Sequence, residues 1–279
     1  MNVSNPREVA ESFARPIRWM VRIGYGARGL VFLIIGGFAF LAAGSLGQHP
    51  VGARDALELI FQKPFGAPFL IAIAFGLACF AGWRFCQAIF DADGHGNTLY
   101  GLLRRGVLAG SCLFYVALAA ATVRITFAQR RVDEDQSARE WTAWVMSHPL
   151  GRAIIAAIAV GFAAVAVGLV IKAFRARFGN RLDATEDTRK WVVPIGSFGI
   201  LTRGFVFLMI GAFLGSAAYD ANSREVVSLS GVLRAMQQQD HGGLFLGAAA
   251  LGLLAFGVFE VIAAALRRSD PPNAKDTPS

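Results

Sequence analysis

The sequence predicts an all-α integral membrane protein with six transmembrane helices, arranged as three tandem two-helix repeats with both termini in the cytoplasm. Three observations predict this fold: an apolar composition, six apolar stretches of membrane-spanning length, and a motif that occurs three times. Of the 279 residues, 55% are hydrophobic and 16% are charged, which is typical of membrane proteins. Glycine is also abundant, at 31 residues, as expected where helices pack closely in lipid.

The six apolar stretches are each near the roughly 20 residues that a helix needs to cross the hydrocarbon core. They cover residues 24–45, 68–89, 106–126, 151–173, 204–218 and 243–266. The fifth stretch is short unless the turn before it is included. The period-two alternation of a membrane β-strand is missing, so a helical bundle is the expected architecture.

The residues before the first stretch are charged and have no apolar core, which argues against a cleavable secretion signal. Asn5 and Pro6 have the pattern of a helix start, and Trp19 favours a position at the membrane interface. Pro16 is expected to break a helix there. We therefore predict a separate N-terminal cytoplasmic or interfacial segment over residues 1–17.

A six-residue motif, G-x-x-x-R-G, opens the odd-numbered stretches. It is GYGARG at residues 24–29, GLLRRG at 101–106 and GILTRG at 199–204. The even-numbered stretches share a weaker pattern of two glycines and an alanine: Gly66, Gly76 and Ala88; Gly151, Gly161 and Ala173; Gly242, Gly252 and Ala264. The recurrence predicts hairpin repeats at 18–92, 97–178 and 193–268, with a disordered tail over 269–279.

Each hairpin has a half-apolar stretch in its connecting loop, at residues 56–61, 141–146 and 232–236. We expect these to be short helices at the outer membrane interface, where Trp141 and Trp144 are well suited.

The distribution of basic residues predicts the orientation in the membrane. Both termini and the second and fourth loops lie on one side, which holds 18 of the 27 Lys and Arg residues. The positive-inside rule assigns that side to the cytoplasm and the protein to the plasma (inner) membrane. The net charge of +8 is then explained by topology and by attraction to anionic lipids, with no need for nucleic acid.

These residues resemble a family of bacterial membrane proteins catalogued as domain of unknown function 1206. The resemblance rests on the tandem hairpins, on the opening ARGLVFLIIG at 27–36, on PFG at 64–66 and on the apolar run at 76–83. It covers about residues 18–268 and implies the six-helix, three-repeat fold. It brings no established activity and no site residues.

The motif arginines Arg28, Arg105 and Arg203 are the candidates for binding lipid or an anion. Because the odd helices are parallel, an axis along the membrane normal would place all three at one depth, as a collar for phosphate groups. The alternative is that each side chain extends to the headgroups and anchors its helix.

Glu260 is an acid about two turns inside the sixth stretch, where a charged group is expected to face a partner. Alignment of the even stretches places Arg84 at the same repeat position, so we expect an ion pair between Arg84 and Glu260, or between Glu260 and a motif arginine. A coupled proton or ion site and simple interfacial exposure are the alternatives.

Small residues along the odd stretches predict faces where helices approach closely. These are Gly24, Gly29, Gly36, Gly101, Gly106, Gly110, Gly199, Gly204, Gly211 and Gly215.

Patterns for catalytic residues, metal ligands and cofactors are missing from the sequence. Cys79, Cys86 and Cys112 form no CxxC pair, and all four histidines fall in loops, which disfavours a membrane haem. The sequence thus favours a non-enzymatic envelope scaffold or lipid-binding protein whose partners are membrane lipids, including anionic ones. The alternative is a small transporter or channel with a pathway between repeats that uses Glu260 and the motif arginines.

Overall fold

The computed structural model describes residues 6–44, 53–91, 96, 98–128, 134–175 and 185–266. Over these ranges the chain is helical and contains no strand. The helices are α1 (Pro6–Gly44), α2 (Ala53–Phe61), α3 (Gly66–Ile89), α4 (Leu99–Ala128), α5 (Glu134–Met146), α6 (Gly151–Arg175), α7 (Glu186–Asp220), α8 (Leu229–Gln237) and α9 (Gly242–Leu266).

The six long helices are long and apolar enough to cross a membrane. The candidate spans are Trp19–Gly44, Gly66–Ile89, Gly101–Phe127, Gly151–Arg175, Glu186–Asp220 and Gly242–Leu266. The predicted six-helix membrane fold is confirmed, and α2, α5 and α8 form where the three half-apolar stretches were expected. We call the end where α1, α4 and α7 begin the proximal end, and the end with α2, α5 and α8 the distal end.

Two helix boundaries differ from the prediction. α1 runs without a break through Pro16, so residues 6–17 do not form an element separate from the first membrane span. α7 begins at Glu186, well before the predicted span at 204–218, and the Thr185 side chain caps it by accepting a hydrogen bond from the Thr188 amide. The first turns of α7 are charged and therefore carry no hydropathy signal. Residues 1–5 and the predicted tail at 269–279 lie outside the described residues.

The turn before each even helix repeats the same backbone geometry. Phe65, Leu150 and His241 have left-handed φ values of 66°, 67° and 63°. A glycine follows each one, at Gly66, Gly151 and Gly242, and a Cβ atom there would overlap a carbonyl oxygen of the preceding short helix. This steric requirement explains why the first glycine of the even-helix pattern recurs.

The long helices pack in the order α4, α3, α1, α9, α7, α6. The α1–α9 contact joins the first and third repeats, and it depends on glycine: a Cβ at Gly29 would lie 2.8 Å from the Gly257 oxygen. A Cβ at Gly36 would be equally close to the Leu254 nitrogen, at 2.8 Å. Helices that approach this closely gain dispersion contacts that larger side chains would prevent.

The first and third repeats are closed internally by matching contacts. A Cβ at Gly24 would lie 2.8 Å from the Phe80 Cα, and Gly199 packs equally tightly on Phe256. On the partner helices, Gly76 packs against Ala27, and Gly252 packs against Thr202 in the third repeat.

The remaining predicted contact glycines of the first turns and of α7 differ in how closely they pack. Gly204 and Gly211 face α6 at close approach, and Gly215 makes ordinary contact with Ala159 at 3.9 Å. Gly101 is buried.

The second repeat is different because α4 and α6 have no extensive contact within the described residues. A Cβ at Gly106, Gly110 or Gly161 would meet no atom of the described residues within 4 Å. The expectation that Gly106 and Gly110 mark a close helix contact therefore does not match the structure. Leu113, which is 71% exposed, stands in α4 where α1 has Gly36, so α4 does not continue the small-residue face on which α1 packs closely.

The distal helices are tied together by Asp135 of α5. One of its carboxylate oxygens accepts a hydrogen bond from the Ser228 amide at 2.7 Å, and the other accepts one from Arg234 Nη2 on α8. Arg139 Nε adds a bond to the Val226 carbonyl at 3.1 Å. These contacts join the second and third repeats at the distal end.

The substitution Gly29→Ala tests the α1–α9 contact, with the equivalent Gly106→Ala as its matched control. We expect Gly29→Ala to lower the free energy of unfolding by about 1–3 kcal/mol, because the new methyl group has no space. Gly106→Ala should be neutral or slightly stabilising, since Ala is the better helix former. Thermal unfolding in detergent measures both, and equal destabilisation by the two variants would contradict the open second repeat.

Candidate anion-binding site

Glu260 of α9 forms a buried ion pair with Arg28 of α1. Arg28 Nη1 lies 3.2 Å from Glu260 Oε2, and the two residues are only 2% and 4% exposed. The partner is thus a motif arginine, and Arg84 takes a different one. Removing either member of a buried pair leaves an uncompensated charge, which typically costs about 3–5 kcal/mol.

Aromatic rings surround the Arg28 guanidinium. Its Cζ lies 5.0 Å from the ring centroids of both Phe80 and Phe256. Tyr115 of α4 is at 5.8 Å and Phe32 of its own helix is at 5.9 Å. Contacts of this kind between a cation and a ring face reach about 2 kcal/mol when desolvated, so the rings help to hold a charge inside the bundle.

Arg203 of α7 enters the same aromatic cluster from the other side. Its Cζ lies 4.8 Å from the Phe207 centroid, 5.1 Å from Phe256 and 5.8 Å from Phe32. Arg28 and Arg203 therefore share two rings. Unlike Arg28, Arg203 has no carboxylate partner and no hydrogen-bond acceptor within the described parts of the chain.

Arg84 of α3 completes the group of cations. Its Cζ lies 4.9 Å from the Phe80 centroid, the ring that also faces Arg28. Its Nη1 donates a hydrogen bond to Gln87 Oε1 at 3.1 Å. We call Arg28, Arg84, Arg203 and Glu260 the arginine cluster.

The third motif arginine does not join the cluster, so the three motif arginines form no common collar. Arg105 instead donates from Nε to the Ala88 carbonyl at 2.7 Å and from Nη2 to the Ile89 carbonyl at 3.0 Å. These carbonyls belong to the last turn of α3, where a cation satisfies unpaired acceptors and interacts favourably with the helix dipole. Arg105 is therefore a helix cap in this structure.

The repeat explains why only one motif arginine meets an acid. The even helices carry Arg84, Leu169 and Glu260 at one equivalent position, eight residues after the second glycine. Arg28 packs against the helix that provides Glu260. Arg203 belongs to the helix that packs on α6, where a Cβ at Gly204 would lie 3.4 Å from the apolar Leu169.

The cluster therefore has three guanidinium groups and one carboxylate, and its buried donors are not all satisfied. Within the described residues, Arg28 Nε, Arg84 Nε, Arg203 Nε and the nearby Trp83 Nε1 are buried without a hydrogen-bond acceptor. Such atoms are rare in native proteins and commonly mark the place of an unseen water or ion. Excess positive charge with spare N–H donors matches an anion that offers several oxygen atoms.

The aromatic part of this site was not predicted, although the sequence contains a signal for it. Phenylalanine lies four residues after two motif arginines, at Phe32 and Phe207, and four residues after the second even-helix glycine, at Phe80 and Phe256. The spacing of one helical turn repeats in the first and third repeats and not in the second. The pattern thus marks the two repeats whose helices surround the guanidinium groups.

A double-mutant cycle of Arg28→Gln and Glu260→Gln tests the buried pair. Each single variant should lose about 3 kcal/mol of unfolding free energy, and the double variant should lose clearly less than the sum. The exposed pair Lys190 and Asp187, 2.9 Å apart, is the control and should give at most about 1 kcal/mol of coupling. Unfolding in mixed micelles measures both cycles, and additive losses for Arg28 and Glu260 would exclude the pair.

Comparisons with known proteins agree with the repeat structure. The family model described as Domain of Unknown Function (DUF1206) matches three segments, residues 23–91, 107–176 and 198–267. The chain is 32% identical over 244 residues to the uncharacterized protein YxxB of Bacillus subtilis (strain 168), which covers 86% of this chain and 88% of that protein. No solved structure matches the chain. Because each family match falls on one hairpin repeat, the chain belongs to the DUF1206 family of membrane proteins.

Proposed function

We propose that the protein is a non-enzymatic membrane protein that binds an oxyanion of the phosphate type through the arginine cluster. The observation that carries this proposal is the imbalance of three arginines against one buried acid, together with buried N–H donors that have no acceptor in the described residues. The phosphate can belong to a membrane lipid or be free in solution. A lipid ligand would make the protein a lipid-holding component of the envelope.

The arrangement of the cluster favours binding at Arg203. Arg28 is already engaged by Glu260, while Arg203 is held by aromatic rings that fix its position without neutralising its charge. Hydrogen bonds from a guanidinium to an anionic oxygen are about twice as strong as neutral ones. An anion at Arg203 would also reduce the repulsion between Arg203 and Arg28, whose guanidinium groups share two rings.

Binding is favoured over catalysis because the cluster offers no free acid or base among its described members. Its carboxylate, Glu260, is buried against Arg28, so it is poorly placed to transfer protons.

The burial of the Glu260 side chain also argues against the alternative of a transporter or channel that uses this residue. A coupling carboxylate is expected to open towards a water-filled path, whereas Glu260 is 4% exposed and faces a guanidinium.

We infer that the proximal end faces the cytoplasm of a bacterial cell, since the sequence assigns 18 of the 27 Lys and Arg residues to that side. In a chain whose native cysteines are replaced, Ser147→Cys at the distal end should react with a membrane-impermeant maleimide in intact cells. Lys190→Cys, near the start of α7 at the proximal end, should react only after permeabilisation. The reverse pattern would invert the assigned topology.

Titration with inorganic phosphate tests the proposed binding, with Arg203→Gln as the variant and Arg105→Gln as its matched control. Loss of one charge-assisted hydrogen bond, about 1.5–3 kcal/mol, should weaken binding by Arg203→Gln at least about tenfold. Arg105→Gln should bind as the wild type does, because Arg105 caps α3 outside the cluster. Calorimetry on folded protein measures the Kd, and equal affinity of Arg203→Gln and wild type would contradict the proposal.

A further inference from the structure

One exposed stripe of α6 is made of small residues. Ala157, Gly161, Ala164 and Gly168 follow the spacing of a single helix face, and all four are exposed. Gly161 and Gly168 have open space where a Cβ would stand. Gly106, Ala109 and Gly110 of α4 are exposed as well.

In the other two repeats, the equivalent face is covered by another helix. The repeat equivalents of Gly161 are Gly76 and Gly252, and each is covered by the first helix of its own repeat. In the second repeat no described part of the chain covers Gly161. In the packing order of the long helices, α4 and α6 are the two ends, and we call the space between them the opening.

Lys172 connects this opening to the arginine cluster. It lies four residues after Gly168, so it continues the same face of α6 towards the proximal end, and it is exposed. It lies close enough to the cluster to be attracted by Glu260 and repelled by Arg28 and Arg203. A cation therefore lies at the opening, within electrostatic range of Arg203, which has no acidic partner among the described residues.

We infer that the opening between α4 and α6 is the binding site of one anionic phospholipid, which enters sideways from the membrane. Its phosphate lies at Lys172 and Arg203, and an acyl chain lies along the small residues of α6. The rise from Lys172 to Ala157 is about 22 Å, which exceeds the roughly 15 Å half-thickness of the hydrocarbon core. This inference rests on the proposed function and names the ligand.

The charge of the opening favours a lipid over a second copy of this chain. A symmetric dimer across this face would bring two Lys172 side chains, and the arginine clusters behind them, towards each other in a medium of low dielectric. An anionic headgroup removes the same excess charge. The acyl chain needs only the smooth apolar face that the glycines and alanines provide.

Two leucine substitutions test this inference, because they fill the opening and leave the residues of the arginine cluster unchanged. Gly161→Leu and Gly168→Leu place bulky side chains on the exposed face, and Gly37→Leu, at another glycine with nothing within 4 Å, is the matched control. Native mass spectrometry on protein released from nanodiscs of phosphatidylglycerol and phosphatidylcholine measures the lipid retained per chain. Calorimetry with inorganic phosphate reports on the cluster separately.

We expect wild type and Gly37→Leu to retain one phosphatidylglycerol per chain, and each opening variant to retain at least about tenfold less with unchanged phosphate affinity. Equal lipid retention by the opening variants would overturn the inference. So would a wild type that binds phosphate without retaining lipid, or a dimer that the leucines abolish. A wild type that binds neither phosphate nor lipid would overturn the proposed function as well.

Discussion

The structure depends on the need to hold arginine inside a membrane bundle. Arg28 is 2% exposed, and an isolated charge at such a position would be strongly destabilising. Glu260 neutralises it, and the rings of Phe80 and Phe256 cover the guanidinium faces. Because Arg28 and Glu260 belong to the first and third repeats, the same ion pair that makes burial possible also joins the two ends of the chain. The glycine contacts between α1 and α9 bring the two helices close enough for it.

Three copies of one hairpin have come to use the motif arginine in three different ways. Arg28 meets an acid, Arg105 caps the end of α3, and Arg203 faces aromatic rings without an acceptor in the described residues. The difference arises from one position of the even helices, which holds Arg84, Leu169 or Glu260. The second repeat has also lost the contact between its own helices. Excess positive charge and an uncovered helix face thus occur in one bundle, and the proposed anionic lipid would occupy both.

Composition and repeats were sufficient to predict the membrane helices, since hydropathy reports directly on the cost of placing a segment in lipid. They were not sufficient for α7, whose first turns are charged, or for α1, which continues through Pro16. Glu260 pairs with a motif arginine, which is one of the two expected partners, but the sequence could not decide between Arg28 and Arg84 for a topological reason. Alignment of even helices places Arg84 and Glu260 at the same position of different repeats, whereas contact occurs between an even helix and the odd helix beside it in the packing order. Periodicity along a helix does not contain that information.

We propose above that the arginine cluster binds an anion. A cryo-electron microscopy map of the wild-type protein in nanodiscs containing phosphatidylglycerol tests it most directly. The account predicts density for a phosphate-sized group about 3 Å from the terminal nitrogens of Arg203, continuing as a chain along the exposed face of α6. A well-resolved map in which Arg203 contacts only protein atoms or water would contradict it.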